Sequence, residues 1–599
     1  MVKRLFALWM IVVLLFLITA CTQSEDQGQQ DATTTTQAQT SLTTKAEVTT
    51  TAKQETVTTA TTEVENPFAE RMTITWLVGD YTSHLYEEGR WDELELEELF
   101  NVDLKMWNID PINAEQVRMM LAAGDVPDYG NYRISGRYLL ENGMGRTIPL
   151  RLLQQYYPSY YQLMVDDPLG LSFLKVEDKE DEYYGLALYT PLAYHTFNVA
   201  LWRLDWLENI GYELEDLVPM ESVIRPELFN NKLYFSTTKF PIADVMEIFR
   251  AFTEDDPDGN GVDDTYATNA IDVTWMFGFS ANTSHFYKDP ETGDYVPFFA
   301  YTLYRDSLQF SMDITQKGYM RSNPGVPEQE IWGTGKTGFM RARGSPRILG
   351  LGYGGDGDNF PPASILLNVD SDATFVITHA PGEYGKYVPY SLFSWIGDQH
   401  YTVGNITDEK LIRLFRLLEY AYFGENWMRY KFGIENIHYK WYGEPFKSPI
   451  IKTDPEKIPA KYAGTGTNIF GQFGNLNFIK DITVYFEYDA FLMQWVDYWE
   501  NHGGYFNDHL WIRPDKFYSE ATMTKEQFDR FKEIQNETND QITNVRNDFL
   551  KKVNEGQIAD LNAEWVLYIE QLYANGLDQW VEFWNDDNVK TYQYYKNLR

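Results

Sequence analysis

The sequence predicts an α/β body with parallel strands covered by helices, divided into two lobes or more domains. Two observations carry this. An alternating stretch, Met72–Val78 (MTITWLV), is followed by a helix-patterned run, Trp91–Phe100, then a strand, Val102–Ile109, and a helix, Ala114–Ala123. Strand–helix–strand–helix at this spacing calls for a parallel sheet with crossover helices on its faces. The second observation is length, since 599 residues exceed what a single small core organises.

Taken in order, the chain opens with a segment outside the fold. Lys3 and Arg4 form a charged start, and Leu5–Ile18 is an apolar run too short for a comfortable membrane span. It ends in Ile18-Thr19-Ala20-Cys21, which resembles a bacterial lipobox, where the cysteine thiol is acylated. Cys21 is the only cysteine, so an internal disulfide and a cysteine-based zinc site are excluded. A signal peptide over residues 1–21 and a palmitate-type anchor on Cys21 are expected. The alternative is an ordinary secretory signal with an incidental cysteine. Residues 22–66 are rich in Thr, Gln, Ser and Ala without one aromatic, and cannot bury enough apolar surface to fold. They read as a disordered tether, reaching roughly 35–40 Å by random-coil scaling.

The body begins near Pro67. It holds 46 of the 50 Lys and Arg (50 − 4) and 81 of the 88 Asp and Glu (88 − 7), so it carries most of the formal charge of −38. Such an excess argues against nucleic acid, whose phosphates need basic surfaces. Aromatics are 16% of the chain, a large stock of flat faces for a core or for sugars. Leu94, Leu96 and Leu99 of the first helix are available to a core. Further on, helices are expected over Tyr304–Lys317, stopped by Gly318, and over Asp408–Phe423, Thr524–Leu550 and Asp560–Glu582. Phe375–Ala380 (FVITHA) reads as a strand, and there is no internal repeat.

Between these lies Phe252–Tyr266, FTEDDPDGNGVDDTY, entered from a helix-like run at Asp244–Phe252. Asp256, Asp258, Asn260 and Asp264 fall at positions 1, 3, 5 and 9 of an EF-hand-like loop, with Gly261 at 6 and the Val262 carbonyl at 7. Alternate oxygens around a glycine turn are what a structural Ca²⁺ ion requires. Position 12 is Ala267 instead of the usual glutamate, and Thr265 offers a weaker side-chain oxygen. The competing reading is a solvated acidic turn.

Several segments then resemble one family in the right order. Leu121–Asp128 (LAAGDVPD), Tyr183-Tyr184-Gly185-Leu186 and Leu201–Gly211 (LWRLDWLENIG) are similar to signatures of extracellular family 1 solute-binding proteins, the receptors of ABC importers. Gly335–Met340, Phe432–Tyr439 and a Gly-Leu-Asp turn at Gly576 extend the match, and the acidic loop resembles that of the oligosaccharide-binding branch. The resemblance runs from roughly Thr73 to Lys590. It implies a periplasmic-binding-protein-like fold of two lobes with a hinge and a ligand cleft between them. It places residues 67–198 plus 375–430 in lobe 1 and 199–374 plus 431–599 in lobe 2, with Phe375–Ala380 carrying the chain back to lobe 1. The implied function is capture of an oligosaccharide by a monomeric, lipid-anchored protein on a bacterial cell surface, for delivery to ABC permease subunits.

Candidate ligand residues sit at strand ends near the implied hinge: Asp80, Tyr132, Arg133, Tyr194, His195, Trp275 and Trp395. Each Trp reads equally as core packing. No G-x-S-x-G, H-E-x-x-H or P-loop occurs, and the eight His show no metal-ligand spacing. Adjacent acids such as Asp166-Asp167 do not establish the pair that glycoside hydrolysis needs, roughly 5–10 Å apart across a cleft. A non-enzyme is expected. A surface glycosidase and a receptor for a peptide or other nutrient, or one presenting ligand to a sensor kinase, stay open as alternatives.

Overall fold

The computed structural model describes residues 68–589 except 79–87, 110–112, 132–133, 177–178, 190–196, 215, 221–229, 270, 324–325, 327, 345–361, 389–394, 424, 447, 449, 464–509 and 520–522. Cys21 and the tether lie outside the described residues.

Two five-stranded sheets organise the body. The first runs in the order Val102–Asn108, Met72–Val78, Tyr129–Gly130, Trp395–Val403, Leu186–Tyr189. Met72–Val78 is parallel to both neighbours, as the strand–helix alternation predicts, and Trp395–Val403 enters antiparallel. Ile74, Trp76 and Leu77 are buried on both sides of the strand. Asn113 caps the second helix by accepting the N–H groups of Glu115 (3.1 Å) and Gln116 (3.3 Å), and Gly124 closes it at φ 67°. Asp128 exchanges hydrogen bonds with Thr75 (2.7 and 2.8 Å), stitching the Pro-Asp turn to the first strand, and Lys410 pairs with it at 2.8 Å. In the helix Trp91–Phe100 only Leu96 of the three expected leucines is buried. Leu94 lies about 200° around the helix from Leu96 and is 52% exposed, while Leu99 is 47% exposed in the last turn.

The second sheet has the order Phe339–Gly344, Phe197–Arg203, Phe375–Thr378, Leu233–Phe235, Val218–Pro219. Phe197–Arg203 is antiparallel to both neighbours, and Phe375–Thr378 is parallel to Leu233–Phe235. This corrects the expected return point: Phe375–Thr378 belongs to the second sheet, and the chain rejoins the first only at Trp395–Val403. All four residues of FVIT are buried, so this strand suits the sheet's centre. At the end of Phe197–Arg203, the buried Arg203 donates to Asp205 (Nε, 2.8 Å) and Asp370 (Nη2, 2.7 Å) and lies over the Trp206 ring.

Each sheet has its own large apolar core. The closing helices, Lys525–Asn554, Leu561–Leu572 and Asp578–Trp584, pack with the second. The helix expected over Asp560–Glu582 is interrupted at Asn575 and Gly576, where φ reaches 105°. Gly576 is needed there, because a Cβ would lie 2.4 Å from Thr538 Cγ2. The short helix Trp427–Phe432 belongs to both cores: Tyr430 packs into the first, Met428 and Phe432 into the second. Glu95 accepts hydrogen bonds from Arg429 (2.8 and 2.6 Å) and Tyr430 (2.7 Å). Burial would raise its pKa, but these bonds outweigh it and hold the carboxyl below its ordinary range.

Candidate functional site

The acidic loop follows the helix Ile242–Glu254. Asp256 adopts φ 49°, and Gly259 and Gly261 follow at 65° and 78°, a left-handed turn series that brings alternate side chains inward. Asp256 Oδ2 accepts the Gly261 N–H (2.9 Å), Asp258 Oδ1 that of Asn260 (3.3 Å), and Asn260 Oδ1 that of Val262 (2.7 Å). Asn209 holds the loop from outside by donating to the Pro257 carbonyl at 2.9 Å. Asp256 Oδ1 and Asp264 Oδ1 are buried without a hydrogen-bond partner. A buried carboxylate oxygen with no donor is costly unless something positive meets it, and both belong to the expected ligand set.

One cation is supplied by the chain. Lys336 Nζ lies 2.6 Å from Asp264 Oδ2 and 3.8 Å from Asp258 Oδ2. Its hydrogen bond holds the Asp264 carboxyl below the usual range, whereas burial and the neighbouring Asp256 push Asp258 up. The Val262 carbonyl accepts the Asp264 N–H at 3.0 Å, and Thr265 is buried. With Asp264 drawn toward Lys336, no three His, Cys, Asp or Glu side chains converge to hold a metal ion among the described residues. The donor set fits a hard cation in oxygen type and in its two orphaned oxygens. It is incomplete at position 12 and contested by Lys336.

Of the expected ligand residues, Asp80, Tyr132, Arg133, Tyr194 and His195 lie outside the described residues. The two Trp are described, and their role is corrected. Trp275 is 0% exposed within the second core, on the short helix Thr274–Phe277, with the Arg341 guanidinium 5.8 Å from its ring centre. Trp395 is 1% exposed, wedged between Tyr160 and Tyr189 (5.6 and 4.7 Å), and a Cβ on Gly170 would come 2.7 Å from its ring. Neither ring offers a face to a sugar. Both are close-packed.

Leu233–Phe235 and Phe375–Thr378 run parallel and end side by side. Asp216 fixes the first exit by accepting from Ser236 Oγ and the Thr237 N–H, both at 2.6 Å. Its carboxyl is held low by these bonds against the upward push of burial. The second exit, His379–Lys386, carries Tyr384, whose side chain is well exposed.

No family model matches the chain. It is 24% identical over 256 residues to the polygalacturonan/rhamnogalacturonan-binding protein YtcQ of Bacillus subtilis, spanning 41% of this chain and 45% of that one. It is 26% identical over 209 residues to lipoprotein LipO of the same organism, spanning 32% and 35%. The chain thus spans less than half the length of these curated relatives. Among solved structures, an HMO-binding, ABC-transporter-associated solute-binding protein of Bifidobacterium longum infantis superposes with TM-score 0.56 at 14% identity, covering 88% of this chain and 99% of that one. The Streptococcus pneumoniae substrate-binding protein FusA, as an EF-hand mutant with fructo-nystose, gives 0.56 at 15% identity with the same coverage. The alginate-binding protein AlgQ2 without calcium gives 0.51 at 15%, covering 88% and 99%. The fold is therefore that of the two-lobed periplasmic-binding-protein class, as solute-binding proteins of ABC transporters display it.

Proposed function

We propose that this chain is an extracellular solute-binding protein, lipid-anchored through Cys21, that captures an oligosaccharide and delivers it to an ABC permease. The observation that carries this reading is the fold, shared over 88% of the chain with oligosaccharide-holding receptors. The similarity to a polygalacturonan/rhamnogalacturonan-binding protein and to a lipoprotein supports both the ligand class and the anchor. A ligand that touches both lobes favours their closed arrangement, which a permease can then recognise. The protein's work is capture and release, not turnover.

A thermal-shift panel of pectic, fructan and neutral oligosaccharides tests this. A true ligand at a hundredfold excess over its Kd adds about 2.7 kcal/mol to stability. The expected result is a saturable rise in melting temperature with one class and no product on chromatography. No shift with any oligosaccharide, or release of shorter sugars, overturns the reading.

In the same reading the acidic loop holds a structural Ca²⁺ through Asp256, Asp258, Asn260, Asp264, the Val262 carbonyl and Thr265. The ion would neutralise the orphaned oxygens and lock the turn. Chelation by EGTA should lower the melting temperature, with on the order of 3 kcal/mol at stake for a hundredfold excess of ion over Kd. Asp256→Ala combined with Asp258→Ala should abolish that difference. Superimposable melting curves with and without chelator in the wild type would count against the ion.

A further inference from the structure

We infer that Lys336 is the resident counter-ion of the acidic loop and must be displaced before calcium binds, so that this exchange sets the loop's affinity for the ion. The inference rests on the calcium reading above and names the residue that regulates that site.

Lys336 is brought to the loop by its own backbone. Its carbonyl accepts the Tyr266 N–H at 2.9 Å, and the Ala267 carbonyl accepts the N–H groups of Gly338 (3.2 Å) and Phe339 (2.9 Å). Thr337 pairs with Tyr266 in a parallel bridge. The turn before the strand Phe339–Gly344 is thus bound to Tyr266 and Ala267, the residues that close the loop. Ala267 is 0% exposed in this pairing. The same contact that leaves position 12 without a carboxylate therefore sets an ammonium beside position 9.

That ammonium stands where a cation is called for. Nζ lies 2.6 Å from Asp264 Oδ2 and 3.8 Å from Asp258 Oδ2. It does not satisfy the loop, because Asp256 Oδ1 and Asp264 Oδ1 stay buried without a donor. An ammonium has three donors on one atom, whereas a calcium ion gathers six to eight oxygens. With Asp264 held toward Lys336, no three acidic side chains converge among the described residues. Gathering them draws Asp264 away from Lys336, and a divalent ion close by repels the ammonium. The way out is open. The Lys336 side chain is 35% exposed, so its stem can swing into water while the backbone stays paired. Each binding event thus gives up the Lys336–Asp264 pair. This places the loop among weak sites, filled at the roughly 0.1–1 mM calcium of extracellular modules.

The test is calorimetric titration of the full, metal-stripped chain with calcium, with Lys336→Met and Lys336→Arg alongside. Lys336→Met should bind calcium about tenfold or more tightly than wild type, since no charge is then displaced. Lys336→Arg keeps the charge and should stay close to wild type. In EGTA, Lys336→Met should melt below wild type, and saturating calcium should narrow or reverse that difference. Unchanged calcium affinity in Lys336→Met overturns the inference. So does weaker binding, which would make the lysine a positioning residue that orients Asp264 for the ion. If Lys336→Met binds calcium and wild type does not, the counter-ion stands and the calcium reading of the native loop falls. If neither binds, both fall.

Discussion

Trp275→Ala should lower apo stability by about 3–5 kcal/mol, the usual loss for truncating a close-packed aromatic. The ring is 0% exposed and sits among the second core's side chains, so the substitution leaves a cavity that its neighbours can only partly fill. It also removes the ring beneath Arg341. Denaturant melts with and without ligand read the result directly. If apo stability is unchanged while sugar affinity collapses, the ring faces a cleft and its place in the core is wrong.

The second large effect is expected at Arg203. Its side chain is 2% exposed, whereas Asp205 and Asp370 are 27% and 38% exposed. Arg203→Met keeps the length and apolar stem but leaves two carboxylates facing a buried methionine. Removing one partner of a fully buried pair costs roughly 3–5 kcal/mol. Because both acids keep access to water, the expectation is nearer 2–3 kcal/mol. Arg203→Lys should recover only part of this, since an ammonium cannot serve both acids with a planar fork. A chemical denaturation series on the two variants decides, and a loss under about 0.5 kcal/mol, the level of an ordinary surface substitution, would mean that the fork is idle.

The opening strands and helices of the first sheet were readable because they announce themselves locally. MTITWLV carries its alternation, and Asn113 and Gly124 mark both ends of a helix. Sheet membership was harder to read. FVIT is buried throughout, and nothing inside four apolar residues says which sheet they join. That depends on pairing with Leu233–Phe235, well over a hundred residues away. The acidic loop's oxygen ladder was legible from spacing, but Lys336 was not, because it reaches Asp264 from a different part of the chain. Trp275 and Trp395 were misread for a simpler reason. A tryptophan has the same letter in a core and in a cleft, and only burial separates the two.

The place where Phe375–Thr378 pairs also bears on how the molecule can move. Among the described residues the first sheet's Leu186–Tyr189 is followed by Phe197–Arg203 of the second, and the second sheet's Phe375–Thr378 by Trp395–Val403 of the first. A single connection would leave one body free to swivel, slide and bend against the other. More than one connection restricts swivel and slide. The helix Trp427–Phe432 is a further tie, with Tyr430 seated in one core and Met428 and Phe432 in the other. In the proposed capture of a ligand, two bodies tied in this way leave less orientational entropy for the ligand to overcome.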